Sequence, residues 1–364
     1  MSTPAVRQAE AAARAPFDGA PPTPGTQPRP RYPGRPAEVA PRVLEVVDLA
    51  LGVSRGRLRR VPSAGALYPV DAHVMAGGRL LAFDPFRHVL RDRGLSCSAV
   101  PGAVVLLSLE PSRTVWKYGS RSLPSLLLDL GHAAGSLAAA AACLGVECRV
   151  SLDVDARRMA VPYTFAAVWL APPAATDVLL CAGTAWRGTA EPGHTLIRQA
   201  LDDLAEGGTT WEAPGMPPFP RHVIESRRSA PPPFTGELDR TDLHALLDGT
   251  PLIAATRDGL TTADGPVGRG DARPALAAWA TGQAFLADAA AVLLVTADLT
   301  GYRAAYTRAG LLVHRALLAA HARGLPARPV GSWGPADLGA ALGRPPGTHV
   351  IVHGAAIGGG KDTK

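Results

Sequence analysis

Apolar and polar positions along the chain change period in a set order. AHVMAGGRLLAFD (Ala72 to Asp84) and AVVLLSLEP (Ala103 to Pro111) read as strands, SLLLDLGHAAGSLAAAAACLG (Ser125 to Gly145) as a long helix, and TFAAVWLAP (Thr164 to Pro172) as a further strand. After a proline-rich break the order returns. LHALLDG (Leu243 to Gly249) is helical, AAVLLVTAD (Ala290 to Asp298) a strand, RAGLLVHRALLAAHARG (Arg308 to Gly324) a long helix and THVIVHGAA (Thr348 to Ala356) a closing strand. The two long helices lie on each other without a gap. Gly131 falls on Gly310, Gly145 on Gly324 and Arg149 on Arg328, at a constant offset of 179. With the matching order of elements around them, this predicts an internal repeat, an α+β chain of two related units in tandem.

The breaks set the boundaries. Residues 1–38 are rich in Pro, Ala and Arg without periodicity, a composition expected to stay disordered as a tail. Units at 39–187 and 223–358 follow, separated by a linker at 188–222 in which TLIRQALDDLAEG reads as a short helix before the proline-rich EAPGMPPFPR. Residues 359–364 form a second disordered tail.

At 364 residues and 47% hydrophobic content, each unit can bury a core, and with aromatics at only 5% that core must be Leu, Val and Ala. The net charge of +6 is carried by scattered arginines, never a run interleaved with aromatics, which argues against nucleic acid. It suits an acidic peptide or a phosphorylated cofactor equally well. Cys97, Cys143, Cys148 and Cys181 show no CxxC pair and no zinc-ligand spacing, so no metal site is expected. With no signal-peptide pattern ahead of them, they point to the cytoplasm. The most apolar stretch, Leu126 to Val146, contains Asp129 and His132, which favours a buried helix over a membrane span.

Four motifs could carry chemistry. In RRVPSAGALYPVDAHV (Arg59 to Val74), a loop of small residues brings Ser63 and bare backbone where a planar or phosphorylated ligand can approach, although a tight turn before a strand explains it as well. WKYGSRS (Trp116 to Ser122) holds the only lysine outside the C-terminal tail. Of 37 basic residues, only Lys117, Lys361 and Lys364 are lysine. A chain that otherwise uses arginine has kept one group whose pKa burial can lower until the neutral amine acts as a base. Tyr118 beside it can orient or share a proton. A surface lysine left by chance is the plainer alternative. In IESRRSAPPPFTGELDRTDLHALLDG (Ile224 to Gly249), Arg227, Arg228 and Ser229 can grip a phosphate, or form a solvated basic turn. In GLPARPVGSWG (Gly324 to Gly334), glycines can bring backbone N–H groups against a ligand.

Together these motifs resemble the nitroreductase-like flavoproteins, and the first two resemble the SagB/McbC-type branch, the azoline dehydrogenases of thiazole- and oxazole-modified peptides. The resemblance runs from about Val39 to Gly358. It implies two nitroreductase-like units forming an intramolecular pseudo-dimer around FMN. It also implies that Lys117 and Tyr118 are catalytic, and that Arg60, Ser63, Ala64, Gly65, Arg121, Arg227, Arg228, Ser229, Pro329 and Gly331 contact the flavin. The first unit has the PSAG loop without RRS, while the second has RRS and the Pro-x-Gly turn without PSAG. One composite site per chain is therefore expected. After KYG, SRSLPS keeps only Arg121 of the branch's arginines and tyrosines, Ser136 stands where an asparagine is frequent, and APPPF replaces a further arginine.

On this resemblance the substrate is an azoline-containing precursor peptide made by a cyclodehydratase complex. Loss of a hydride to FMN and of a proton to Lys117 gives the aromatic azole. The resemblance leaves open whether chains pair further as a homodimer. It also leaves open an NAD(P)H-dependent nitroreductase-like enzyme on another substrate, and a flavin-free scaffold that binds leader peptide.

Overall fold

The computed structural model describes residues 3–15, 32–172 and 195–360. Helices α1 (Pro4–Arg14), α2 (Pro41–Leu51), α3 (Ser112–Tyr118), α4 (Ser122–Cys143), α5 (Thr195–Asp203), α6 (Arg221–Ser226), α7 (Arg240–Leu247), α8 (Arg273–Trp279) and α9 (Tyr302–Ala322) accompany two large antiparallel sheets and a two-stranded ribbon of Val53–Arg55 and Leu58–Arg59. The first sheet has seven strands in the order Arg35–Ala37, Val89–Ser96, Arg79–Asp84, Val70–Ala76, Ala103–Leu109, Thr164–Leu170 and Cys148–Ser151. The second has six, in the order Gly265–Arg269, Gly259–Thr262, Ile253–Ala255, Ala291–Ala297, Val350–Ile357 and Ala327–Val330.

The two orders are the same path walked twice. In each, three strands form a meander, the fourth returns to pair with the first of them, a long helix follows, and the chain comes back through an edge strand to a closing strand that lies inside it. Only Arg35–Ala37 has no counterpart. The run from Ala72 to Asp84, expected as one strand, is a hairpin. Gly77 and Gly78, at φ of 55° and 75°, supply the two left-handed residues that a tight hairpin turn requires.

Helices α4 and α9 cross at the centre. A Cβ built on Gly131 would stand 2.0 Å from the Thr307 carbonyl oxygen, and one built on Gly310 would stand 2.2 Å from that of Leu128. Leu128 and Thr307 are themselves 179 apart, so the contact is reciprocal, as at a two-fold axis. The glycines let the two backbones touch where any side chain would hold them apart. Ser112–Cys143 is long and apolar enough to cross a membrane, but 89% of its most apolar window is buried inside the protein, which makes it a core element.

Strand alternation divides the packing. One face of each sheet, carrying Val74, Val105 and Val168 in the first and Ala254, Leu293 and Val352 in the second, enters a single core that also holds α4 and α9. The opposite faces close two smaller clusters, around Trp169 in the first unit and Trp333 in the second.

The N-terminal segment departs from expectation. Pro4–Arg14 is a helix that buries Val6 and Ala9, capped by the Thr3 hydroxyl. It is anchored by Glu10, which accepts from the hydroxyls of Tyr302 (2.7 Å) and Tyr306 (3.1 Å), and by Thr3, which donates to Asp203 at 2.5 Å. Composition alone makes it look unable to order, but the bonds that order it lie on α5 and α9, far along the chain. The first unit also begins earlier than residue 39, because Arg35–Ala37 is part of its sheet. Residues 16–31, 173–194 and 361–364, with parts of both expected tails, the start of the linker and Cys181, lie outside the described residues.

Candidate active site

The loop Val61–Tyr68 crosses from the small strand Leu58–Arg59 into the central strand Val70–Ala76. Gly65, Ala66 and Tyr68 all have positive φ, at 61°, 56° and 50°. For a non-glycine residue that region costs on the order of 1–3 kcal/mol and is held only where the surroundings over-determine it. The surroundings here are Asp129 of α4. Its Oδ2 accepts from Ser63 Oγ at 2.5 Å and its Oδ1 from the Ala64 amide at 3.0 Å, while Ser63 Oγ in turn accepts from the Tyr68 amide at 2.9 Å.

Gly65 faces the KYG motif directly. A Cβ there would stand 2.8 Å from the Tyr118 hydroxyl and 3.0 Å from Lys117 Nζ. Lys117 and Tyr118 end α3, and the turn at Gly119 (φ 55°) starts the chain towards α4. The Lys117 ammonium lies 5.5 Å from the Tyr118 ring centroid. The expectation that Lys117 is buried is not met: its side chain is exposed on the mouth of the site, because α3 is a short surface helix with Arg113, Thr114 and Val115 on its inner face. Burial raises the Tyr118 phenol, and the Asp129 carboxyl raises it further.

The second half reaches this loop through Arg227. It is 6% exposed and donates through Nε and Nη2 to the Arg60 carbonyl, at 3.1 and 2.6 Å, two residues ahead of Pro62. Its third nitrogen, Nη1, is buried with no hydrogen-bond partner among the described residues. Burial brings its pKa down to about 10, as expected for a cation without a counter-ion. Gly331 comes from the same half. Its backbone packs on Leu128 and His353, and it lines one cleft with Tyr118, Arg121, Pro124 and Trp333. Ala13 and Arg14 of α1 line that cleft too.

Most of the expected residues thus converge on the start of α4, but several do not. Arg60 turns its Nη1 to the Asp48 carbonyl at the end of α2. Arg121, expected at the flavin, donates to the carbonyls of Ala12 (3.1 Å) and Ala15 (2.5 Å), holding α1 across the cleft. Arg228 and Ser229 are exposed, and Pro329 sits in the edge strand opposite Ala355.

Two features escape the motifs. Asp129 is 4% exposed, and burial pushes its carboxyl up to about 7 against the bonds from Ser63 and Ala64. Three buried histidines lie one layer deeper. His132 and His353 share a hydrogen bond of 2.9 Å between their Nε2 atoms, and the His314 ring meets that of His132 edge-on at 5.8 Å. Burial holds all three below the usual histidine range, His314 at about 3 and His353 at about 4.

Residues 228–360 match the Nitroreductase family. That match covers most of the second half, which is similar to the nitroreductases. The fold of the whole chain carries the likeness further. A protein from Anabaena variabilis ATCC 29413, whose name assigns it to the nitroreductases, superposes with a TM-score of 0.68 at 17% identity over 88% of each chain, so the nitroreductase-like fold spans both halves. Two partial likenesses stand beside it. The E. coli microcin synthetase McbBCD complex with truncated pro-MccB17 aligns over 35% of this chain and 60% of its own (18% identity, TM-score 0.30). A protein of Ralstonia eutropha JMP134, also named as a nitroreductase, aligns over 44% of this chain and 99% of its own (16% identity, TM-score 0.34). No curated protein matches the sequence.

Proposed function

We propose that this chain is an FMN-dependent dehydrogenase that oxidises thiazolines or oxazolines in a peptide to the aromatic azoles, with one flavin per chain between its two nitroreductase-like units. The observation that carries this reading is the meeting at Gly65 of the Lys117 amine, the Tyr118 hydroxyl and a bare loop reached from the other half by Arg227.

The residues suit the cofactor. Arg227 is a buried cation with one N–H group unpartnered, which a phosphate would both neutralise and satisfy. Gly65 carries no side chain that would collide with the Tyr118 hydroxyl and the Lys117 amine, so both groups stand directly against the loop backbone. Bound FMN supplies a two-electron acceptor for the hydride that leaves the azoline ring. Lys117 takes the proton from the ring carbon next to nitrogen while the hydride leaves the neighbouring ring carbon; the bond between these carbons becomes double and the C=N bond is kept, which completes the azole. Tyr118, 2.8 Å from the Gly65 Cβ position, orients the ring by hydrogen bonding. The azoline is supplied by a cyclodehydratase, since no other class of reaction closes a cysteine or serine side chain onto the preceding carbonyl.

The test is direct. The purified protein is expected to be yellow with one FMN per chain, and Lys117→Ala to keep the colour and lose azole formation. Two flavins per chain would remove the single composite site. A colourless protein that takes up no FMN would leave a peptide-binding scaffold instead, and full activity of Lys117→Ala would remove the assigned base.

A further inference from the structure

Asp129 is the one acid on the buried faces of the two central helices, and the pseudo-symmetry says what it is not. Its counterpart on α9, 179 positions along, is Arg308, which is exposed and pairs with Glu212. Packing of the helix pair therefore does not call for a carboxylate at this place. The half that has the acid is also the half that has the PSAG loop.

Burying a carboxylate with no cation beside it is costly, and none of the ion pairs among the described residues includes Asp129. The cost is set against something specific. Both carboxylate oxygens are used on the strained turn, one on the Ser63 hydroxyl and one on the Ala64 amide, and the Ser63 hydroxyl passes the restraint on to the Tyr68 amide. Three of the four residues Gly65–Tyr68 sit at positive φ between these two anchor points. Without the anchors the turn has an easy way to relax, and Gly65 moves away from the amine and hydroxyl it now faces.

We propose that Asp129 is a positioning residue of the active site, which holds the Ser63–Tyr68 turn in its strained form so that Gly65 stays against the Lys117–Tyr118 pair. It touches neither reacting atom and acts through Ser63 and the Ala64 amide. The groups that face it are Tyr68 on the turn and Tyr118 on α3, with His132 one turn further along its own helix. Tyr68 also faces Arg227 and Arg59, and Lys117 stands on the solvent side of Gly65. The proposal rests on the azoline dehydrogenase reading for its effect on rate, but not for its effect on the loop.

The test separates the two. Hydrogen exchange at the amides of residues 64–68 is measured without flavin in the full chain, for wild type, Asp129→Asn, Asp129→Glu and Ser63→Ala. FMN affinity and azoline oxidation are measured on the same samples. Asp129→Asn is expected to stay folded, to exchange the loop amides about 10-fold faster and to lower kcat about 10- to 100-fold, because its amide keeps one acceptor oxygen and no longer serves both the Ser63 hydroxyl and the Ala64 amide. KM and FMN affinity are expected to change less than about threefold. Asp129→Glu is expected to recover part of kcat, and Ser63→Ala to reproduce the faster exchange where Asp129→Asn fails to fold. Unchanged exchange in both Asp129→Asn and Ser63→Ala overturns the anchor, and a loosened loop with unchanged kcat overturns its role in positioning. A wild type that binds no FMN sinks the dehydrogenase reading, and the exchange result then decides the anchor by itself.

Discussion

Single residues make up the candidate site, and their ionisation gives a first prediction. The Asp129 carboxyl is ordinarily near 3.8 and burial raises it to about 7 in the folded protein. Its protonated form is therefore favoured by folding. The contribution is fully present below about pH 4 and is lost as pH rises through about 7, because the folded state then binds more protons than the unfolded one. His132, His314 and His353 have the opposite sign: burial lowers them, so their contribution is lost as pH falls below 6.5. The clean measurement is the difference in Tm between Asp129→Asn and wild type from pH 4 to 8. That difference is expected to move in favour of the variant as pH rises, and a difference flat in pH would refute the shift. Lys117 and Tyr118 are legible in the sequence because lysine is scarce and the KYG motif is distinctive. Asp129 is not, because an acid in an apolar helix reads only as an argument against a membrane span. Its meaning comes from Ser63 and Ala64, more than sixty residues earlier.

Elements are held by contacts that a sequence shows unevenly. The repeat aligns Gly131 with Gly310 in the sequence, and the fold adds that the two glycines meet where α4 and α9 cross. A methyl at Gly131 would meet the Thr307 carbonyl oxygen at 2.0 Å, backbone that cannot step aside. Gly131→Ala and Gly310→Ala are each expected to destabilise by about 3 kcal/mol or more, beyond ordinary overpacking, in urea unfolding. Gly145→Ala and Gly324→Ala, at helix ends with positive φ and open space, are expected to cost about 1–2 kcal/mol from backbone strain alone. Helix α1 is the contrary case. Its composition resembles a tail, and what seats it is the Glu10 carboxylate between Tyr302, Tyr306 and Arg14, together with Arg121 on its last carbonyls. Glu10→Ala leaves two buried phenols without their acceptor, at about 1–3 kcal/mol. The expected readout is faster tryptic cleavage at Arg7 and Arg14 with the remainder of the chain intact. Protection equal to wild type would show that α1 is held by something else.

At the scale of the whole molecule, the order of elements in the sequence already shows two units, yet it does not say that they share one interior. Val74 and Val105 of the first sheet, Ala254 and Leu293 of the second, and both long helices belong to one hydrophobic core. Each unit has a sheet with one face sealed around Trp169 or Trp333 and the other covered by its own long helix, and the two long helices pack on each other. Removing either half exposes the outer face of α4 or α9 with the bare backbone at Gly131 or Gly310, an apolar surface that a soluble domain does not leave open. Arg227 would also lose the Arg60 carbonyl, and Arg303 the Val154 carbonyl and its ion pair with Asp153. The chain is therefore expected to unfold in one cooperative transition, whatever the probe, in spite of its two-unit architecture. Residues 1–187 and 188–364 expressed separately are expected to aggregate or to remain loosely packed. Expressed together, they are expected to assemble into a one-to-one complex that regains the melting behaviour of the intact chain. Two separate transitions, or a well-folded second half by itself, would place the boundary between the units in the core rather than only in the sequence.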